Sequence, residues 1–258
     1  MGPCCQHMRE DYGTRTMRLC LFDVRNIDLP RKVKFRERYK KPEFKVDKGC
    51  RIGRNYQEYL KFKEKYPDLA EVQMDSVMGV KGGKCLLTIH FVESSLMLAF
   101  IREANTSQSV IDVFNGLDKV LGNELFSELF PYILTDNGSE FSNPRAIEYR
   151  EHPERGASYH RTNIFYCDAG CPYQKGACEV NHELIRRIIP KETSIDDLTQ
   201  MDVFKMMNHI NSYKRKKLNN VSPITMFSTI YGKDTVDKLG IQEIEPNKVS
   251  LSKSILKK

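Results

Sequence analysis

No stretch of the 258-residue chain stays apolar long enough to cross a bilayer. The longest runs, such as Leu96–Ile101, fall far short of the roughly 20 residues a spanning helix requires. No charged-then-apolar leader opens the chain, which predicts a soluble cytoplasmic protein. Internal repeats and low-complexity tracts are also missing, which excludes arrays and tail-like segments. The eight cysteines lie too far apart for a small disulfide scaffold, so reduced thiols are expected. Cys167, Cys171 and Cys178, with His182 as a fourth ligand, could be read as a zinc site, but the C-x3-C spacing argues against it. What remains is an ordinary globular balance, 40% hydrophobic and 29% charged, enough to build a core and too apolar for disorder.

Charge is unevenly spread. Residues 1–70 hold 18 Lys and Arg against 10 Asp and Glu, whereas residues 71–258 hold 23 against 24, so the net +7 comes from the N-terminal quarter. Within that quarter, Arg31-Lys32-Val33-Lys34-Phe35-Arg36-Glu37-Arg38-Tyr39-Lys40-Lys41 interleaves basic and aromatic side chains. Such a run gains affinity for a polyanion by releasing condensed counterions; a solvated basic loop is the plainer alternative.

Residues 1–55 show few apolar periodicities and several breakers, which predicts a loosely ordered basic segment. A short helix over 56–66 stops at Pro67. The runs 71–78, 84–92 and 95–103 predict an antiparallel three-stranded meander. A helix capped at Thr106–Ser109 follows and ends at Gly122, with Val110, Val113, Phe114, Leu117 and Leu121 at helical spacing. Further strands are predicted at 132–135 and 163–167, and helices at 174–189, 201–216 and 223–231, the last with Pro at its first position. The sum is an α/β layer mixing parallel and antiparallel pairs in one sheet.

Three acids stand where acids fold poorly or where ligands commonly bind. Asp75 interrupts a strand, although Asp is depleted in strands and a buried carboxylate is costly unless paired or bound to metal. Asp136 ends the 132–135 strand, a position where open α/β sheets take up ligands. Glu179 follows the small residues Gly176-Ala177-Cys178, which allow close approach of a backbone. If the strands carrying Asp75 and Asp136 are neighbours and the helix crosses them, three carboxylates converge. Such an oxygen set suits Mg²⁺, and two ions about 4 Å apart promote phosphodiester displacement. Each acid also has a plainer reading: a solvent-facing strand edge, a turn former and a solvated helix residue.

The strings Met74-Asp75-Ser76-Val77, Leu134-Thr135-Asp136-Asn137-Gly138-Ser139-Glu140-Phe141 and Pro172-Tyr173-Gln174-Lys175-Gly176-Ala177-Cys178-Glu179-Val180-Asn181 resemble, in order, the three acidic motifs of DDE transposases. More narrowly they resemble bacterial insertion-sequence transposases of the IS-thirty type, over roughly residues 56–245. That resemblance implies a ribonuclease-H-like mixed five-stranded sheet flanked by helices. It also implies an integrase-type catalytic core over 67–235, between a basic segment at 1–66 and a tail at 236–258. Asp75, Asp136 and Glu179 would be catalytic and hold two Mg²⁺ ions, for which Mn²⁺ can substitute. Water attack would free a 3′-hydroxyl at the element's end, and that hydroxyl would attack target DNA without a covalent protein intermediate. The implied partners are element ends and target DNA, bound by a homo-oligomer at the nucleoid. Lys175, Arg186, Arg187, Lys214 and Arg215 are weaker candidates for DNA contacts, with solvated helix faces as the alternative. No convincing helix-turn-helix precedes Asp75, so a truncated copy is also expected. Two other functions fit the motifs less fully: a non-catalytic DNA-binding remnant, and a ribonuclease-H-like nuclease that cuts without joining.

Overall fold

The computed structural model describes residues 48–151 and 158–256, together with the backbone of three short N-terminal strands, β1 (Arg9–Asp11), β2 (Thr16–Leu19) and β3 (Phe22–Arg25). Two units are distinguished, Met1–Phe44 and Lys45–Lys258. In the first, β1, β2 and β3 pair antiparallel in that order, strands that the apolar pattern does not predict. The basic run at 31–41 lies outside the described residues.

The second unit begins with α1 (Tyr56–Lys65), whose N-cap Asn55 accepts a hydrogen bond from the Glu58 amide. The meander follows as β4 (Glu71–Met78), β5 (Cys85–Phe91) and β6 (Met97–Arg102). Next come α2 (Ser107–Leu121), capped by Thr106, then α3 (Asn123–Leu129) and β7 (Tyr132–Thr135). A short helix α4 (Pro144–Glu148) leads into a hairpin of β8 (Tyr149–Glu151) and β9 (Ser158–His160), and β10 (Asn163–Tyr166) returns to the main sheet. The chain continues through α5 (Gly176–Ile188), α6 (Gln200–Ser212), α7 (Pro223–Tyr231) and α8 (Lys233–Lys238).

The main sheet has the order β10-β7-β4-β5-β6. Its β10-β7-β4 half is parallel and its β4-β5-β6 half antiparallel. Side chains alternate along each strand, so the sheet has two apolar faces. Val72, Met74, Leu87, Ile89 and Phe91 pack with Phe114 of α2, Phe126 of α3 and Phe227 of α7. Val77, Leu86, Met97 and Ala99 point the other way, against α5 and α6. At the β7/β10 edge, Tyr132, Leu134 and Phe165 are covered by Tyr59, with Phe62 packed against them. A mixed five-stranded sheet clothed by helices on both faces is the arrangement expected of a ribonuclease-H-like fold.

One predicted element ends early. The helix expected over 201–216 stops at Ser212, because the chain turns back on itself just beyond. Arg215 Nη2 donates to Ile210 O, Arg215 pairs with Val221 in an isolated bridge, and Asn219 and Asn220 take left-handed backbone. Among the described residues no helix is long and apolar enough to cross a membrane.

Candidate metal and catalytic site

The register of two parallel strands sets the site. Met74 of β4 pairs with Thr135 of β7, so the next residues, Asp75 and Asp136, emerge side by side. Thr135 ends its strand, and Asp136 Oδ1 accepts the Gly138 amide at 3.0 Å, closing a tight Asx turn. Asn137 stiffens this turn: its Nδ2 donates to Cys167 O at 2.7 Å, and its carbonyl accepts from Arg51 Nη2 at 3.1 Å. Asp75 shares the face of β4 that carries Gln73 and Val77, and its Oδ1 accepts the Ser76 amide at 2.7 Å.

The helix α5 closes over this face. Cys178 donates its amide to Gln73 Oε1 at 3.0 Å, fixing the first helical turn to β4. Just before it, Lys175 points inward with a side chain only 5% exposed. Its Nζ lies 3.0 Å from Asp75 Oδ2 and 3.8 Å from Asp136 Oδ2, and it donates to Met74 O at 3.2 Å. One ammonium thus serves two carboxylates. Burial alone would lower the Lys175 pKa, but Asp75 and Asp136 outweigh it and the pKa rises. Asp136 remains undercompensated: burial, with the charge of Asp75, holds its carboxyl above the usual range despite Lys175.

Thr88, His182 and Cys178 line the pocket on the β5 side. Thr88 is the partner of Asp75 across the antiparallel ladder, and its Oγ1 donates to Asp75 O at 3.1 Å. His182 Nε2 lies 2.8 Å from that hydroxyl, and His182 Nδ1 lies 3.7 Å from Asp75 Oδ2. Burial, Lys175 and Arg186 push the His182 pKa down to about 4, so its imidazole is neutral at neutral pH. Thr88 is not among the site residues expected from the sequence, although a hydroxyl inside the buried strand Cys85–Phe91 is a usable signal.

The other predicted residues sit as follows. Glu179 lies exposed in the first turn of α5, one residue past the buried Cys178. Arg186 Nη2 donates to Met78 O at 3.0 Å, tying α5 to the end of β4, while Arg187 is exposed. Lys214 is exposed beyond the end of α6. Arg215 is held by the Ile210 carbonyl and lies over the Tyr213 ring, and burial lowers its pKa to about 10. Cys167 is buried behind the Asn137 turn, and its thiol pKa is pushed up to about 11.

Two aspartates on adjacent parallel strands thus stand at one cation, and over much of its length the chain is similar to known proteins. A protein of Spiroplasma virus SpV1 named as an integrase is 28% identical over 163 residues, 63% of this chain and 47% of its own length. The transposase of element IS4351 from Bacteroides fragilis is 25% identical over 183 residues, 69% of this chain and 50% of its own length. The transposase of element IS30A from Escherichia coli is 25% identical over 126 residues, 49% of this chain and 33% of its own length. The chain is thus similar to insertion-sequence transposases, the IS30 type among them. No family model matches it. The chain spans about half the length, or less, of these relatives.

Proposed function

We propose that this chain carries the catalytic centre of an insertion-sequence transposase that cuts and joins DNA strands with Mg²⁺, Mn²⁺ substituting. The observation that carries the reading is the pairing of Asp75 and Asp136 around a single buried ammonium. Two carboxylate oxygens within reach of one cation, one of them with a raised pKa, are a hard-oxygen donor set short of positive charge. That fits a divalent hard cation. When bound, two Mg²⁺ ions would supply activation of the attacking oxygen and stabilisation of the leaving one. Asp75 and Asp136 would hold the metal, and Glu179, on the exposed first turn of α5, would bring the third carboxylate.

Arg51 and Asn137 keep the Asp136 turn in place, and Gln73 keeps α5 against β4, so the donors are positioned before substrate arrives. Lys175 neutralises part of the pair without metal and would be free to meet a phosphate once a divalent ion replaces it. The excess positive charge of residues 1–70 supports DNA as partner, with element ends and target held by copies of this chain assembled at the nucleoid. The test is nicking and end-joining on labelled DNA by purified protein with Mg²⁺ or Mn²⁺. Asp75→Asn, Asp136→Asn and Glu179→Gln are each expected to abolish both reactions while DNA binding persists. Full activity in any of the three variants removes that residue from the centre. Nicking without joining would make the chain a nuclease, and DNA binding without either reaction would make it a remnant.

A further inference from the structure

The pocket around Asp75 carries donors that the two-aspartate reading leaves idle. Cys178 and His182 stand four residues apart on α5, one helical turn, and so share a face. With Asp75 they offer three ligand atoms that all lie within 4.8 Å of one another. Cys178 Sγ is 3.3 Å from His182 Nε2, and Asp75 Oδ2 is 3.7 Å from His182 Nδ1. A tetrahedral ion with bonds of about 2.0–2.3 Å spaces its ligands by about 3.3–3.7 Å. Asp75 Oδ2 and His182 Nδ1 already stand at that spacing, whereas the close contact of Cys178 is with the other ring nitrogen. The His182 ring must therefore turn, or the thiol shift, to bring all three onto one ion.

The hydrogen bonding leaves a gap for a cation. Thr88 Oγ1 gives its one proton to Asp75 O, so the 2.8 Å contact with His182 takes Nε2–H as donor. That tautomer leaves the Nδ1 lone pair facing the Asp75 carboxylate with no proton between them. Thiolate and imidazole nitrogen suit Zn²⁺ or Co²⁺, whereas Mg²⁺ takes oxygen.

We propose that Asp75, Cys178 and His182 form a site for a borderline-soft divalent cation of the Zn²⁺ kind, which takes Asp75 away from Mg²⁺ and thereby inhibits strand cleavage. The inhibitory half rests on the function proposed above; the site itself does not. On binding, the Cys178 S–H bond breaks, sulfur donates its pair to the metal, and the proton leaves to solvent without any oxidation. Charge closes as well: two carboxylates and a thiolate face one divalent ion and the Lys175 ammonium.

The test is titration of the full-length, untagged chain, kept reduced with a phosphine, with Co²⁺. A sulfur-to-cobalt charge-transfer band is expected in the wild type. Cys178→Ser should lose it, and His182→Gln should weaken Co²⁺ affinity by at least about tenfold. Asp136→Asn should keep the band, because Asp136 belongs only to the oxygen pair. No band in the wild type, or a band unchanged in both Cys178→Ser and His182→Gln, overturns the site. In a second arm, Zn²⁺ should inhibit Mg²⁺-supported cleavage in the wild type and less so in Cys178→Ser; equal inhibition overturns the regulatory half. A cobalt band together with no cleavage under any condition sinks the transposase reading and leaves the metal site standing.

Discussion

Two carboxylate clusters sit on this fold, and they are built to opposite standards. At Asp118, on α2, one carboxylate oxygen accepts from Arg150 at 2.7 Å, from Tyr159 at 2.7 Å and from Arg161 at 3.1 Å. Arg161 is further bound by the carbonyls of Ile147, Phe114 and Ala146, so it straps the β8–β9 hairpin region to α2. Burial would raise the Asp118 pKa, yet these three donors outweigh it and the pKa falls. At Asp75 and Asp136 the proportion is inverted: two carboxylates share Lys175, and the Asp136 pKa rises. The charge that ties the fold together is oversupplied with donors, and the pair proposed to hold a metal is left short.

That contrast is broken or sharpened first by activity. Asp136→Asn keeps the shape of the site and removes one metal oxygen, a loss of several kcal/mol of transition-state stabilisation. The rate of Mg²⁺-dependent cleavage should fall by about a thousandfold. Asp118→Asn should leave that rate intact at temperatures where the protein is folded. Equal losses in the two variants would mean that the clusters do not differ in kind.

Stability should show the reverse. Breaking a buried ion pair by removing one partner costs about 3–5 kcal/mol, because the other charge is left unpaired. Arg161, whose side chain is fully buried, would be that charge in Asp118→Asn. For a domain of this size the melting temperature should drop by roughly 6–20 °C. A drop of a degree or two would show that the cluster is decoration.

A third buried group is neither oversupplied nor waiting for a ligand. His90 of β5 is fully buried, with the Asn181 amide 3.0 Å from its Nδ1. Burial, with Lys217, His182 and Arg215 nearby, pushes its pKa down to about 3. The unfolded chain therefore takes up this proton first, near pH 6.5, and stability is lost as pH falls from there toward 3. The slope it contributes is at most about 1.4 kcal/mol per pH unit. Chemical denaturation between pH 7 and 5 should be less pH-dependent in His90→Gln than in the wild type; identical slopes would show that the fold does not lower the His90 pKa.

Much of this was legible beforehand, for reasons that differ by residue. The five core strands announce themselves because their apolar residues face two covered surfaces, and Asp75 stands out because nothing else in β4 is charged after Glu71. The short elements were not legible. α3 and α4 have seven and five residues, too few for a period to show, and packing on Phe114 and Ile133 holds their side chains. Lys175 reads as a phosphate ligand, since lysines seldom bury; only the proximity of Asp75 and Asp136 explains why it turns inward. Arg161 and Asp118 carry no signal in the sequence, because their partners come from separate stretches of chain.

The smallest effect tests the contrast most finely. The Asp136 carboxyl has a higher pKa in the fold than in the unfolded chain, so ionising it at neutral pH disfavours folding. As pH rises, the unfolded chain releases this proton first, and stability falls through the folded pKa. Asp136→Asn removes that burden, and in chelator its melting temperature should rise slightly. The side chain is half exposed, so the gain should stay below about 1 kcal/mol after screening by water. Mg²⁺ should reverse the order, because the wild type gains a bound cation that the variant has lost an oxygen for. A variant that melts lower in chelator would place Asp136 with Asp118, as a carboxylate the fold depends on, and the undersupply of positive charge at β4 and β7 would lose its meaning.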